Sequence, residues 1–177
     1  DKLKILTDKK GLPVSEYENV WIEKQKITSQ KILEIQKDEN LIELFQYLSK
    51  KDLKIACCSN SIKNSLVGIL TNLGLLDYFD YILSNEDVKK SKPHPEMYWK
   101  AMIEYSKIPE QTLIVEDSPH GLLAAQRTGA DILRVKDPSD LTIDKIKLYL
   151  KKEKQFMNTR WQDENLNVLV PMAGAGS

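Results

Sequence analysis

The sequence predicts an α/β domain with a doubly wound parallel sheet. Three observations carry that reading. First, the runs at 53–58 and 112–115 are nearly continuous stretches of apolar and β-branched residues, and 130–135 gives the last strand of the set. Runs of this kind suit parallel strands covered on both faces. Second, segments with helical periodicity alternate with these runs, the order that builds βαβ units. Third, Ser59, Lys92 and the Glu116-Asp117 pair fall at or just past predicted strand ends. Open α/β sheets bind ligands outside the carboxyl ends of their strands.

The 177 residues suffice for one domain with a real core. Lysine plus arginine and aspartate plus glutamate both number 26, so the formal net charge is zero. This argues against bulk attraction to nucleic acid or an anionic membrane. No apolar run approaches the roughly 20 residues of a membrane helix, and the N-terminal residues lack the apolar core of a signal peptide. Cys57 and Cys58 are adjacent in a predicted strand, so their side chains face opposite ways and do not pair with each other. Two free buried thiols fit a reducing cytosol, with core packing as their role.

Residues 1–14 are polar, contain Gly11 and Pro13, and read as a loop or frayed start. Ser15 with Glu18 reads as a capping box. Tyr17, Val20, Trp21 and Lys24 then share a helical face, and a break is expected near Thr28 and Ser29. Asp38 or Asn40 starts a clearer helix, with Leu41, Leu44, Phe45 and Leu48 at i, i+3, i+4 and i+7. The strand at 53–58 ends in Ser59-Asn60-Ser61. A helix follows, with Ile62, Leu66, Ile69, Leu70 and Leu73 inward and Gly74 as its stop. Strand, small polar residues, helix is an arrangement that offers backbone N–H groups to an anion, although these residues also cap helices. A short strand should end near Ser84. Lys92 precedes Pro93, which disfavours helix at Lys92, and Pro95 suits the first turn of the next helix. A lysine held there reaches an anion as a point charge; the plainer alternative is a solvated surface lysine. His94 and His120 fall in turns, where solvated or capping roles suit them.

The stretch at 112–129, TLIVEDSPHGLLAAQRTG, reads as buried strand, acidic turn and short helix. Ser118 and Pro119 are helix-start residues and Gly129 is a natural stop. Two adjacent carboxylates at a strand end repel unless a cation or base sits beside them. An oxygen-liganded Mg²⁺ is one candidate; a solvated acidic turn is the other. Past the last strand a C-terminal helix uses Leu141, Ile146, Tyr149 and Leu150. Residues 151–166 are strongly polar and read as a linker. Residues 167–177, NVLVPMAGAGS, read as a strand run and a glycine-rich turn.

Taken together, CCSNS, SKPHPEMY and LIVEDSPHGLLAAQRTGA resemble the second, third and fourth motifs of the haloacid dehalogenase-like hydrolase superfamily, in its branch of phosphatases and phosphoglucomutase-like enzymes. The resemblance covers about residues 15–150. It implies a Rossmann-like sheet, with residues 1–38 as part of a helical cap and 39–150 as the core. It also implies phosphoryl transfer through an aspartyl-phosphate on a small phosphorylated metabolite. By resemblance, Ser59 and Asn60 bind phosphate, Lys92 pairs with phosphate and nucleophile, and Glu116 and Asp117 hold Mg²⁺.

The family's first motif, D-x-D-G-x-T/V, occurs nowhere in the 177 residues, and Asp1 and Asp8 lack the D-x-D spacing. The expectation is an N-terminally truncated piece of a longer protein, without phosphatase turnover of its own. In the family the strand bearing that motif is central, between those bearing the second and fourth, so the sheet is expected to lack it. The strand at 168–170 is a candidate to fill the vacancy, in its own chain or by exchange in a homodimer, because unpaired buried strand edges are costly. The tail resembles the opening of sugar-phosphate nucleotidyltransferases, which suggests a fusion of two enzymes; a free tail is the alternative. A non-catalytic module of the same fold is the competing functional reading. A response-regulator-like receiver is disfavoured by the K-P-x-P lysine and the motif order.

Overall fold

A computed structural model describes residues 2–51, 53–157 and 167–170. Among these residues, seven α-helices and five strands follow in chain order: α1 (Lys2–Lys10), α2 (Tyr17–Leu33), α3 (Glu39–Ser49), β1 (Ile55–Cys58), α4 (Lys63–Leu73), β2 (Tyr81–Leu83), α5 (Glu96–Glu104), β3 (Thr112–Glu116), α6 (Pro119–Gln126), β4 (Asp131–Arg134), α7 (Ile143–Met157) and β5 (Asn167–Val170).

The strands form one five-stranded sheet in the order β2-β1-β5-β3-β4, and every pairing is parallel. This is the doubly wound architecture expected from the sequence. β1 is buried throughout, and so is β3. Their side chains alternate between two apolar layers. Ile55, Cys57, Leu113 and Val115 join α3, α4 and the start of α7 on one face. Ala56, Cys58 and Ile114 join α5 and α6 on the other. Cys57 and Cys58 therefore lie on opposite faces, both buried.

β5 is the last strand in sequence and the middle one in space. Ile55 registers with Val168 on one side, and Thr112 with Asn167 on the other. The vacancy inferred between β1 and β3 is thus filled by the chain's own residues 167–170.

Several local expectations are corrected. Residues 2–10 are helical, not a loop. Leu3, Ile5 and Leu6 give no repeating stripe, so periodicity does not reveal α1. Lys9 and Lys10 complement its C-terminal dipole. Gly11 follows at φ +70°, a conformation that suits glycine. The Thr7 hydroxyl then ties it to Leu12 O at 2.8 Å and to the Tyr17 hydroxyl at 2.6 Å. Ser15 lies inside a 3₁₀ turn, Val14–Glu16, and caps nothing. α2 passes unbroken through Thr28 and Ser29, because such residues cost a helix only a few tenths of a kcal/mol (~0.5) each. Asp38 is the N-cap of α3, accepting from Leu41 N at 3.1 Å. Helix α7 runs on to Met157, into the stretch read as a linker. Residues 158–166, and the glycine-rich part of the tail at 171–177, lie outside the described residues.

Helix α2 rests on α4. Asn72 Nδ2 donates to Ile32 O at 2.6 Å, and Gly68 leaves room for Ile32, whose Cγ2 lies 3.2 Å from where a Cβ would stand. Trp21, Ile22 and Ile27 of α2 are exposed. Among the described residues no helix is long and apolar enough to cross a membrane.

Candidate functional site

The carboxyl ends of β1 and β3 flank β5 and meet the loop that leads into α5. Lys92 sits where these elements converge. Only 7% exposed, its Nζ donates to Cys58 O at 3.0 Å and to Glu116 Oε1 at 2.5 Å. It therefore bridges the end of β1 to the end of β3. The ammonium also lies 4.7 Å from the centroid of the Tyr98 ring, within cation–π range.

A lysine inside a protein needs its loop fixed. The Asn60 side chain does this from the end of β1: Nδ2 donates to Lys92 O at 2.9 Å, and Oδ1 accepts from Lys92 N at 3.0 Å. Further supports come from Glu96, whose carboxylate accepts from Lys89 N at 2.8 Å and Lys90 N at 2.9 Å, and from Arg127, which donates to Pro93 O at 2.9 Å. His94 Nδ1 accepts from Glu96 N at 3.2 Å, a local capping role.

Glu116 is fully buried and takes donors on both oxygens. Oε1 accepts from Lys92 and from the Tyr98 hydroxyl. Oε2 accepts from Asp117 N at 3.1 Å, Ser118 N at 3.2 Å and Ser118 Oγ at 3.1 Å. Burial, followed by the Glu116 charge, pushes the Tyr98 phenol well above its ordinary value of 10.0, so it stays a donor. Gly121 makes the arrangement fit: a Cβ there would lie 2.0 Å from the Glu116 Cδ. Ser118 caps α6 by accepting from Gly121 N at 3.0 Å.

The acidic pair therefore has its cation, and that cation is Lys92. Asp117 is half-buried, and burial followed by the neighbouring Glu116 charge raises its pKa above the ordinary 3.8, against the pull of Lys92. A carboxylate so placed gains from a further cation. The pair supplies hard oxygen donors at one strand end, which suits Mg²⁺. Glu116 is already saturated by protein donors, whereas Asp117 is the carboxylate on offer. No group of three or more metal-ligating side chains forms among the described residues.

Ser59 is the first residue past β1. Its N donates to Leu83 O at 2.9 Å and its Oγ accepts from Ser61 N at 3.2 Å. Neither it nor its neighbours cap α4, whose N-cap is Ile62. Helix-capping thus does not account for Ser59-Asn60-Ser61. Beside them, under α2, lies a cavity of about 120 Å³ bordered by Trp21, Lys24, Gln25, Ser61 and Asn85. The Asn85 Oδ1 is buried without a hydrogen-bond partner.

The structure thus gathers Lys92, Glu116, Asp117 and the Ser59-Asn60 turn at one sheet edge. Sequence reasoning did not single out Tyr98 or Gly121 for the site, and gave Asn60 a phosphate-binding role without its clamp on Lys92. Only the pairing of Glu116 with Gly121 five residues on, inside a helix where glycine is unfavourable, left a signal in the sequence. Cys58, beneath the site, is pushed up to about 12 by burial and is an inert thiol.

Comparison with known proteins gives a consistent picture. The profile of the haloacid dehalogenase-like hydrolase family matches residues 6–135. A validoxylamine A 7'-phosphate phosphatase of Streptomyces hygroscopicus is 31% identical over 91 residues, covering 51% of this chain and 43% of that protein. A phosphorylated carbohydrates phosphatase of Thermotoga maritima is 28% identical over 109 residues, covering 62% and 49%. The chain thus spans about half the length of these curated relatives. Among solved structures, a β-phosphoglucomutase from Clostridium difficile superposes with a TM-score of 0.72 at 22% identity, covering 89% of this chain and 75% of that one. It shares the fold.

Proposed function

The chain belongs to the haloacid dehalogenase-like hydrolase family, and we propose that its sheet edge binds the phosphoryl group of a small phosphate monoester together with Mg²⁺. In this reading it is the phosphate-gripping part of a phosphohydrolase that works through an aspartyl-phosphate in a longer parent protein. The observation that carries the reading is the burial of Lys92 between Cys58 O and Glu116, with its loop clamped by Asn60. Holding an ammonium there costs desolvation, which the Glu116 carboxylate offsets. It is well placed to meet an anion arriving over the strand ends.

Ser59 Oγ and the backbone N–H groups of the following turn hold the phosphoryl oxygens. Asp117 presents its carboxylate to Mg²⁺, backed by Glu116, which also orients Lys92. When bound, Mg²⁺ offsets charge on the transferring phosphoryl group. Lys92 would do the same as a fixed donor. The cavity beneath α2 takes the remainder of the substrate, with Trp21 offering a ring face, Lys24 and Gln25 offering donors, and Asn85 Oδ1 an unspent acceptor. Such a lining suits a polyhydroxylated group. The likeness to a validoxylamine A 7'-phosphate phosphatase and to a phosphorylated carbohydrates phosphatase supports a sugar phosphate.

The 177 residues carry no D-x-D nucleophile motif, so the chain alone should bind without turnover. With p-nitrophenyl phosphate and Mg²⁺ the purified chain is expected to release no nitrophenol above background. Clear turnover abolished by Asp117→Asn would overturn that expectation. The competing reading, a non-catalytic module joined to a nucleotidyltransferase, differs in the parent: it predicts no phosphatase activity there either.

A further inference from the structure

Tyr98 carries a hydroxyl that the packing around it does not require. The side chain is fully buried on α5, in the apolar layer of Ala56, Cys58, Ile114, Ala124 and Ala125. Phenylalanine would fill that place equally well. A phenol buried in such a layer costs desolvation unless its hydroxyl finds a partner. The partner is Glu116 Oε1. An ionised carboxylate only accepts, so the phenol is the donor.

Glu116 does not need this donor for its own satisfaction. Lys92 Nζ, Asp117 N, Ser118 N and Ser118 Oγ already meet its two oxygens, and a carboxylate has about four acceptor sites. The phenol is one donor more, brought from α5 onto the oxygen that Lys92 also uses. The Lys92 ammonium meanwhile stands over the Tyr98 ring, 4.7 Å from its centroid. Tyr98 thus touches both members of the ion pair. Both contacts act on Lys92 in the same sense. The phenol hydrogen puts positive charge beside Oε1 and weakens the pull of Glu116 on the ammonium, an effect that low local dielectric enlarges. The ring attracts the ammonium without engaging an N–H. Of the three ammonium hydrogens, Cys58 O and Glu116 engage two. The third has no hydrogen-bond partner among the described residues.

We propose that Tyr98 is a positioning residue whose hydroxyl screens the Glu116 charge and keeps the Lys92 ammonium available to an incoming phosphoryl group. The inference rests on the phosphate reading of the site given above. Electrostatics fixes its signs. Without the phenol hydrogen the site is more negative, so an anion binds less tightly, a cation binds no less tightly, and Lys92 is drawn harder onto Glu116. A loss of packing would instead loosen all three.

The test is Tyr98→Phe in the full chain, which keeps the ring and its volume and removes only the hydroxyl. In isothermal titration with inorganic phosphate at saturating Mg²⁺, affinity should fall about threefold or more, a coupling at the low end for members of one hydrogen-bond network. Titration with Mg²⁺ alone should give an affinity equal to or above that of the unsubstituted chain. Solvent exchange of the Lys92 Nζ protons, read by ¹⁵N NMR on lysine-labelled chain, should slow. Unchanged phosphate affinity overturns the role of the hydroxyl, and so do phosphate and Mg²⁺ affinities that fall together. Lys92 exchange that is unchanged or faster overturns it as well. An unsubstituted chain that binds no phosphate contradicts the proposed function instead, and the exchange measurement then decides the screening by itself.

Discussion

Lys92 and Glu116 depend on each other more than either depends on anything else in the chain. Both are buried, and the pair is further held by Tyr98 and by the backbone ahead of α6. Removing one partner of such a pair leaves an uncompensated buried charge, which typically costs about 3–5 kcal/mol. Lys92→Met should therefore lower stability by about that much in urea unfolding. The double change Lys92→Met with Glu116→Gln should recover a large part of the loss, since neither residue then carries a charge. Equal destabilisation by the single and double variants would show that the charges are not coupled. Gly121→Ala tests the same pair by volume. A methyl 2.0 Å from the Glu116 Cδ cannot be accommodated in place, so at least the usual overpacking loss of about 1–3 kcal/mol is expected. Mg²⁺ affinity should fall with it, as the acidic pair is displaced.

At the scale of elements, capping and turn chemistry give sharper predictions than helix stripes do. Asp38→Ala removes the α3 cap and should cost about 1 kcal/mol in thermal unfolding. The turn after β2 is held by Asp87, whose Oδ2 accepts from Ser84 N and Ser84 Oγ at 2.7 Å each and from Lys63 Nζ at 3.2 Å. Burial works to raise the Asp87 pKa, but the Ser84 and Lys63 donors outweigh it and hold it below the ordinary 3.8. The native state then binds the proton less tightly than the unfolded one. Its stability contribution is present above pH 3.8 and is lost as pH falls through the depressed value. Asp87→Asn should flatten that part of the acid limb in urea titrations; an unchanged acid limb would contradict it.

These elements also show where the sequence was legible. The buried strands at β1 and β3, the stripe of α3 and the starts of α5 and α6 were readable because each has a strong local signature: unbroken apolar runs, i to i+7 spacing, or Ser-Pro and Pro at a helix entrance. α1 and the continuity of α2 were not, because their apolar residues remain largely exposed and leave no periodic stripe. The site divided in the same way. Ser59, Lys92, Glu116 and Asp117 stood out by position at strand ends. Tyr98 and the Asn60 clamp depend on contacts across 18 and 32 residues, which no local pattern encodes.

For the molecule as a whole, the order β2-β1-β5-β3-β4 makes the C-terminal segment part of the core that holds the site. A chain ending at residue 157 should lose cooperative unfolding, because β1 and β3 would face each other across an empty slot. Differential scanning calorimetry showing the same single transition for both lengths would rule out a structural role for β5. The proposed function, by contrast, rests on the charges at the sheet edge. The most direct test is isothermal titration of the full chain with inorganic phosphate, with and without Mg²⁺, using Ser59→Ala and Asp117→Asn, which both leave the Lys92–Glu116 pair intact. Phosphate binding that requires Mg²⁺, weakens at least about tenfold in each variant, a loss of about 1.4 kcal/mol, and loses its Mg²⁺ dependence in Asp117→Asn is the predicted result. Binding that is indifferent to Mg²⁺ and to both substitutions, or no binding at all, would contradict it.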